Sequence, residues 1–258
     1  MTETSASNPW SRLSRHRWST FNRRRQPLLL SGPPGTGKTA FSQRLAKWLG
    51  VPIFQVDVST LETSFRITGL DAGYSTGKPG VVWEALQNKC MAPVVLLDEL
   101  EKQPHSTKDG GLGFLLGLLE PTSATRFQDA YVGLSIDASQ INWIATCNEL
   151  EPIEAPIRSR FRIFHIDPPS REQMRSVIES VFRSLRYRES WGAAFPEELP
   201  QQVLEQLVDD SPRQVWQELE DACAKAAIAG RKQLLLEDLS PRESKSRSSG
   251  IGFLADIR

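Results

Sequence analysis

From Gln26 onward, short apolar runs alternate with stretches whose apolar residues recur at helical spacing. The strand-like runs are 27–30, 53–58, 94–97, 141–145 and 162–166. Helical stretches lie between them at 38–49, 81–89 and 112–119. Strands that are apolar throughout are buried on both faces, and this alternation is typical of βαβ units. The pattern predicts an α/β domain over 26–167, with a parallel five-stranded sheet flanked by helices.

The strand pattern stops at Pro168-Pro169, and helical periodicity takes over. Ser170 and Gln173 form a predicted capping box at the start of a helix. One apolar stripe follows, made of Met174, Val177, Ile178, Val181, Phe182 and Leu185. Two more helical stretches come next, and the last ends at Gly230, a residue typical of helix C-termini. We therefore predict a second, small helical domain over 168–240.

The two ends of the chain differ in charge from the part between them. Residues 1–25 hold six arginines and one glutamate without a periodic pattern, which predicts a basic, disordered arm. Residues 241–258 are rich in serine and arginine and predict a polar tail. The whole chain has 31 basic and 31 acidic side chains and 39% hydrophobic residues. This balance favours a globular protein over a polycation that acts on nucleic acid.

Neither a membrane segment nor a metal-binding cysteine motif is visible in the sequence. No apolar run approaches the ~20 residues that a membrane-spanning helix needs, and no secretory signal is recognisable. Cys90, Cys147 and Cys223 lie far apart, which argues against a disulfide framework or a zinc site. We expect a cytoplasmic protein without membrane association.

A glycine-rich segment joins the first predicted strand to the first predicted helix. It fills every fixed position of the Walker A P-loop with Gly32, Pro33, Pro34, Gly35, Thr36, Gly37, Lys38 and Thr39. In such a loop, backbone N–H groups surround phosphate oxygens, the lysine reaches the β- and γ-phosphates, and the threonine hydroxyl binds Mg²⁺. A Gly-Pro turn that only links strand to helix is disfavoured, because the motif and both flanks match. We predict a nucleotide site at 32–39, with Lys38 on the phosphates and Thr39 as a Mg²⁺ ligand.

Two carboxylates end the apolar run 94–97: Asp98 follows directly and Glu99 comes next. In P-loop proteins, an acid at the end of a neighbouring buried strand holds the magnesium ion. We expect Asp98 to contact Mg²⁺ and Glu99 to deprotonate the water that attacks the γ-phosphate. Alone, two acids after an apolar run would be an ordinary strand end, but the P-loop upstream favours the catalytic interpretation.

Five segments, in their order and spacing, resemble the AAA+ ATPases and most closely the ATPase module of Lon proteases. They are GPPGTGKT at 32–39, PVVLLDELEK at 93–102, LLEPTSATRFQDAYV at 118–132, IATCN at 144–148 and APIRSRF at 155–161. The resemblance extends from Gln26 to Leu239. It implies a P-loop NTPase large domain followed by a helical lid domain, with ATP as substrate and Mg²⁺ as cofactor.

The resemblance implies roles for three further polar residues. Asn148 matches the asparagine that positions the lytic water, and Arg213 matches a lid arginine that contacts the phosphates. Arg160 matches the arginine finger that enters a neighbouring subunit's site, and Arg158 is the second candidate on that segment. Without the resemblance, Asn148 would be interpreted as an asparagine in the loop after a strand, and Arg213 as a surface arginine on an amphipathic helix.

The glycine-rich segment 73–80 resembles the pore loop by which Lon-like rings grip an extended polypeptide. Tyr74 matches the gripping aromatic residue, whose ring packs against any side chain or backbone. The alternative is an ordinary glycine-rich turn with a tyrosine packed on it. Residues 126–129 are a second candidate pore loop.

The function that these assignments imply is ATP-driven remodelling or unfolding of a protein substrate by a homo-oligomeric ring, expected to be a hexamer. An adaptor or a separate peptidase is the expected partner. Lon carries its peptidase after the lid, where this chain has only residues 241–258, so we expect no peptidase activity in this chain. Two alternatives stay open: a DNA-remodelling or clamp-loader-like motor, and a nucleotide-gated regulatory module. Nucleic acid is the less favoured partner, because Lys78 is the only cation near Tyr74.

Overall fold

The structure is a computed structural model that describes residues 26–61, 63–87, 92–102, 112–189 and 191–240. The chain divides into two compact units, the first ending at Pro168 and the second beginning at Pro169. The first unit contains every described strand, and the described elements of the second are all helices. No described helix is long and apolar enough to cross a membrane. The predicted arm 1–25 and tail 241–258 lie outside the described residues.

The first unit is built on two sheets. Its strands are β1 (Leu28–Ser31), β2 (Ile53–Asp57), β3 (Val94–Asp98), β4 (Phe127–Gln128), β5 (Ser135–Ile136), β6 (Asn142–Cys147) and β7 (Arg162–His165). Five of them form a parallel sheet in the order β2-β3-β6-β1-β7. The other two, β4 and β5, form an antiparallel ribbon. The parallel five-stranded sheet that the sequence predicts is confirmed.

Strand β6 lies between β1 and β3, although it follows both of them in the sequence. Its register pairs Ala145 with Leu97 of β3, and Thr146 with Leu30 of β1. Because the strands are parallel, the loops that leave their carboxyl ends meet at one edge of the sheet. That edge receives the glycine-rich loop after β1, the two acids at the end of β3, and Asn148 after β6.

Helices cover both faces of this sheet. The described α-helices of the first unit are α1 (Lys38–Leu49), α2 (Phe65–Thr68), α3 (Val81–Gln87), α4 (Gly113–Leu119), α5 (Pro121–Ala124) and α6 (Ala155–Arg158). Val95 and Leu97 of β3 belong to one apolar cluster, together with residues of α3 and α4. Val94 and Leu96 belong to another, together with Leu45 of α1. Each face of β3 is therefore buried, which explains why the strand is apolar throughout.

A buried carboxylate anchors the ribbon β4–β5. Asp129 follows β4, is fully buried, and accepts hydrogen bonds from the backbone N–H groups of Gly80 (2.8 Å), Tyr131 (2.9 Å) and Val132 (3.1 Å). The bond to Gly80 ties the ribbon to the end of the glycine-rich segment. Asp129 faces the protein interior, which argues against substrate contact by this residue; Arg126 and Gln128 are exposed, and the pore-loop role of 126–128 stays a prediction.

We expect Asp129→Asn to lower the free energy of unfolding by about 1–3 kcal/mol. Both carboxylate oxygens accept from backbone N–H groups, and asparagine replaces one of them with an NH₂ group that can only donate. Urea unfolding followed by circular dichroism measures this change. The matched control is Asp167→Asn, an exposed position of the same unit, which should shift stability by less than about 0.5 kcal/mol. Equal stability of the two variants would show that Asp129 is not an anchor.

The second unit packs three described α-helices: α7 (Arg171–Arg188), α8 (Gln201–Leu207) and α9 (Pro212–Ile228). Reciprocal capping boxes begin the two long helices, with Ser170 and Gln173 at α7 and Ser211 and Gln214 at α9. Gly230, just after α9, has φ 69°, the left-handed conformation that ends many helices. Apolar residues of all three helices share one core, including Met174, Ile178, Phe182, Leu185, Leu207 and Leu219.

Candidate functional site

The glycine-rich loop leads into helix α1. No described side chain caps the N-terminus of this helix. Gly37 is the N-cap residue in the left-handed conformation, with φ 85° and ψ 20°, which glycine adopts without strain. The first turn of α1 contains no acidic residue. Its backbone N–H groups and the positive end of its dipole therefore face the loop, an arrangement that binds phosphate.

The side chain of Lys38, the first residue of α1, turns back over the loop. Its Nζ donates hydrogen bonds to the carbonyl oxygens of Gly32 (2.7 Å) and Pro33 (2.9 Å), and to Oδ1 of Asn148 (3.1 Å). Burial lowers the pKa of the Lys38 ammonium below its ordinary value, while Cys147 and the nearby carboxylates oppose the shift. A phosphate in the loop would compensate the charge of this desolvated ammonium.

Two oxygen ligands for a hard cation lie side by side at the edge of the sheet. The Thr39 hydroxyl donates to the Asp98 carboxylate, with Oγ1 2.9 Å from Oδ1 and 3.2 Å from Oδ2. Gln55, through Nε2 at 3.0 Å, and the Thr146 hydroxyl also donate to this carboxylate. A hydroxyl and a carboxylate suit Mg²⁺, which needs only one or two protein ligands beside phosphate oxygens. The residues present therefore fit Mg²⁺.

Glu99 has a backbone conformation that non-glycine residues seldom adopt. Its φ is 57°, and its N–H donates to the Thr146 hydroxyl at 3.1 Å. Its side chain is 37% exposed and forms a 2.8 Å ion pair with Nζ of Lys102. Successive acids therefore have different surroundings: Asp98 contacts Thr39, whereas Glu99 contacts Lys102 and keeps access to water. Conformations of this kind cluster at functional sites.

Asn148 connects the phosphate loop to the acidic segment after β3. Its Oδ1 accepts from Lys38, and its Nδ2 donates to Oε1 of Glu101 at 2.7 Å. Its backbone N–H donates to the same oxygen at 2.9 Å. The fold thus brings two hydrogen-bonded pairs together at the start of α1, Lys38 with Asn148 and Thr39 with Asp98, and Glu99 follows Asp98 in the chain.

Four residues that contact the predicted ones carry no assigned role in the sequence analysis: Gln55, Glu101, Lys102 and Thr146. Thr146 has a usable sequence signal, since it lies on β6 two residues before Asn148. Glu101 and Lys102 belong to the same Asp-Glu-Leu-Glu-Lys run as the two predicted acids. Gln55 had no sequence signal, because only the pairing of β2 with β3 brings it close to Asp98.

The two arginines near the end of α6 make different contacts. Arg158 donates from Nη1 to the carbonyl oxygen of Leu150 at 3.2 Å. Arg160 donates from Nη1 to the carbonyl oxygen of Pro156 at 2.8 Å, and its Nε lies 4.0 Å from Oε2 of Glu120. That buried Nε has no hydrogen-bond partner among the described residues. These contacts do not involve the phosphate loop, and both arginines stay candidates for a site on another subunit.

Tyr74 lies in a loop whose ends are joined. Leu70 and Lys78 form an antiparallel bridge, in which the N–H of Leu70 donates to the carbonyl oxygen of Lys78 at 2.9 Å. Inside the loop, the Asp71 carboxylate accepts from the N–H of Gly73 at 2.7 Å. Tyr74 is 64% exposed, and the alternative of an ordinary glycine-rich turn stays open beside the pore-loop prediction. Its role in gripping a substrate stays a prediction.

Arg213 belongs to the second unit, where it is exposed in the first turn of α9. The N-cap Ser211 and the following Pro212 determine where that turn begins. The capping geometry accounts for the position of Arg213 on the helix, and its contact with phosphates stays a prediction.

Known proteins are similar to this chain in sequence and in fold. The family described as "ATPase family associated with various cellular activities (AAA)" matches residues 28–168. The Lon protease of Helicobacter pylori is 35% identical over 140 residues, which are 54% of this chain and 17% of that protein. The Lon protease of Fusobacterium nucleatum is 27% identical over 188 residues, which are 72% of this chain and 24% of that protein. The chain thus spans a quarter or less of these relatives' length.

Solved structures of RuvB from Thermotoga maritima have a similar fold. The structure titled "Holliday junction branch migration motor" has a TM-score of 0.56 and 15% identity, and the match covers 88% of this chain and 64% of that one. A mutant of the same protein has a TM-score of 0.60 and 16% identity, covering 89% and 65%. At this level of identity the similarity shows the fold alone.

Proposed function

The chain belongs to the AAA family of ATPases, and on that premise we propose that it hydrolyses MgATP at the edge of its sheet to remodel or unfold a protein substrate. The observation that carries this proposal is a pair of adjacent side-chain contacts, Lys38 with Asn148 and Thr39 with Asp98, which join the start of α1 to the carboxyl ends of β6 and β3. Each part of it matches a need of phosphoryl transfer: a cation for the phosphates, oxygen ligands for the metal, and a polar group near the water.

In the proposed complex, the first turn of α1 and the Lys38 ammonium hold the β- and γ-phosphates. Lys38 would exchange the carbonyl oxygens of Gly32 and Pro33 for phosphate oxygens. Thr39 and Asp98 would hold Mg²⁺, which when bound neutralises the charge that develops on the phosphate oxygens. Gln55 would keep the Asp98 carboxylate in place.

Hydrolysis requires a base for the attacking water. In our proposal, Glu99 accepts a proton from the water while the water oxygen bonds to the γ-phosphorus and ADP leaves. Glu99 must first release Lys102, and exposed ion pairs of this kind contribute only about 0–1 kcal/mol. Asn148 would orient the same water through its side-chain amide.

We infer that the active form is a homo-oligomeric ring, of hexameric size, in which Arg160 completes the site of the neighbouring subunit. The inference is supported by the arginine's position at 155–161 and by its partly unsatisfied guanidinium. The exposed Arg213 would contact the phosphates from the second unit as the nucleotide binds. An adaptor or a separate peptidase is the proposed partner of the ring.

A protein substrate is favoured by the loop that carries Tyr74. The exposed ring at position 74 offers contact that tolerates any polypeptide sequence. The segment 70–80 holds one acid, Asp71, and one base, Lys78, so it carries no excess of positive charge. Proteins that track nucleic acid need such an excess to contact phosphates.

We expect Tyr74→Ala to abolish the stimulation of ATP turnover by unfolded casein, because the gripping ring is removed. The ratio of turnover with casein to turnover without it should then be close to one. Phosphate release measured at saturating ATP gives this ratio. The matched control is Tyr187→Ala, a 96% exposed tyrosine of the second unit, which should keep the wild-type ratio. A wild-type ratio in Tyr74→Ala would contradict the proposed grip.

The same assay with duplex DNA separates the alternatives. Stimulation by DNA that falls steeply with salt, without stimulation by casein, would indicate a motor acting on nucleic acid. Tight ATP binding without any turnover would indicate a nucleotide-gated regulatory module. Stimulation by casein alone supports the proposed protein-remodelling function.

A further inference from the structure

We propose that Glu101 is a positioning residue of the ATPase reaction, whose carboxylate determines which end of the Asn148 amide faces the reacting phosphate and water. The inference rests on the proposed function and adds to it a residue that acts through another. Glu101 lies in a turn of 3₁₀-helix, Leu100–Lys102, directly after Glu99 and β3. Asn148 follows β6, the neighbouring strand, so the two residues meet at the carboxyl edge of the sheet.

One carboxylate oxygen of Glu101 holds Asn148 by two hydrogen bonds. Oε1 accepts from the backbone N–H of Asn148 at 2.9 Å and from its Nδ2 at 2.7 Å. The first bond holds the main chain at the end of β6, and the second holds the side chain. Together they restrain the Asn148 side chain more than either bond would alone.

The chemistry of the two partners selects one orientation of the amide. A carboxylate only accepts hydrogen bonds, and an ammonium only donates them. Asn148 places its Nδ2 against Glu101 and its Oδ1 against Lys38. Rotating the amide by half a turn would bring oxygen against carboxylate and nitrogen against ammonium, so both contacts would become repulsive.

Glu101 becomes more important when nucleotide binds. Lys38 is the cation that reaches the β- and γ-phosphates, and a phosphate competes with Oδ1 of Asn148 for its N–H donors. Once Lys38 is engaged there, Glu101 is the contact that keeps the orientation of the amide. Nδ2 then retains a second N–H for the water or the γ-phosphate, since only one is used by Glu101.

The other oxygen of Glu101 indicates that stability alone does not explain this residue. Oε2 is buried and has no hydrogen-bond partner among the described residues. An unpaired buried oxygen of a charged group is unfavourable for folding, and such departures are found at functional sites. With Oε1 occupied by Asn148 and Oε2 buried, Glu101 is not placed to deprotonate water itself, unlike the partly exposed Glu99.

The test compares Glu101→Gln with Glu101→Asp in steady-state ATP turnover. Glutamine keeps the shape but loses the charge and can pair with either end of the Asn148 amide. We expect kcat to fall by about 10- to 100-fold, as when a group that orients a functional ligand is removed, with little change in KM. Aspartate keeps an acceptor-only carboxylate and should restore most of kcat. Glu149→Gln, an exposed glutamate next to Asn148, is the matched control.

A double variant distinguishes positioning from a structural role. If Glu101 acts through Asn148, adding Glu101→Gln to Asn148→Ala should lower kcat no further than Asn148→Ala alone. An equal loss in both backgrounds would overturn the proposal, and so would wild-type kcat in Glu101→Gln. Thermal melting of each variant identifies losses that come from unfolding. Absence of turnover in the wild-type chain would overturn the proposed function and this inference together, whereas a normal Glu101→Gln overturns the inference alone.

Discussion

Glu99→Gln is expected to lower kcat for ATP hydrolysis by about 10²–10⁴-fold, the usual contribution of a general base, while ATP still binds. The amide has the shape of the carboxylate but cannot take a proton from water. Lys38, Thr39 and Asp98, the residues proposed to hold the phosphates and the metal, are not altered by this substitution. Phosphate release measures turnover, and equilibrium titration with a fluorescent ATP analogue measures binding.

The control for charge removal is Glu179→Gln, an exposed position on α7 of the second unit, which should leave kcat unchanged. Undiminished phosphate release by Glu99→Gln would exclude Glu99 as the base. Loss of ATP binding together with turnover would show instead that Glu99 supports the nucleotide site as a whole. Glutamate and glutamine have the same unbranched Cβ, so the left-handed backbone at position 99 strains both alike and the two outcomes report on the carboxylate.

Arg160→Ala is expected to lower kcat by about 10³–10⁵-fold in the assembled protein, because an arginine finger stabilises the charge on the transferred phosphoryl group. Arg158→Ala is the matched control on the same segment and should have a much smaller effect. A larger loss in Arg158→Ala would assign the finger to that residue. Light scattering with ATP measures assembly, and the absence of any oligomer would contradict a finger in either position.

Mixing two inactive variants tests the transfer of the finger between subunits. An Arg160→Ala subunit keeps its own Glu99, and a Glu99→Gln subunit keeps its own Arg160. Where a Glu99→Gln subunit inserts its arginine into the site of a neighbouring Arg160→Ala subunit, that site has both an intact base and an intact finger. Turnover should therefore reappear in the mixture. If mixed oligomers form and stay inactive, Arg160 acts within its own subunit and is not a finger.

Several elements of this protein were readable directly from the sequence. The helix α1 begins at Lys38 and ends at Leu49, as its apolar spacing and glycine boundaries predict. The five strands of the parallel sheet also follow from short apolar runs. Both kinds of signal are local, because strand and helix periodicity depend on residues within one element.

The burial of Asp129 depends on a contact that no local sequence pattern indicates. The segment 126–129 contains charged and aromatic residues and looks exposed in the sequence. Asp129 is instead fully buried, because backbone N–H groups from two segments converge on it. One of them, from Gly80, is far away in the chain, and no pattern within four residues indicates that contact.

The sequence by itself determined the chemical groups available at the site: the phosphate loop 32–39, the acids Asp98 and Glu99, and a polar residue after the next strand. Their motifs are stretches of consecutive residues, and their backbone conformation depends on glycines and a helix start in the same stretch. Only the tertiary structure decided which groups touch. Because β6 inserts between β1 and β3, Asn148 meets Lys38 on one side and Glu101 on the other. Strand order is set by the packing of the whole sheet between its helices, so no short stretch of sequence predicts these contacts.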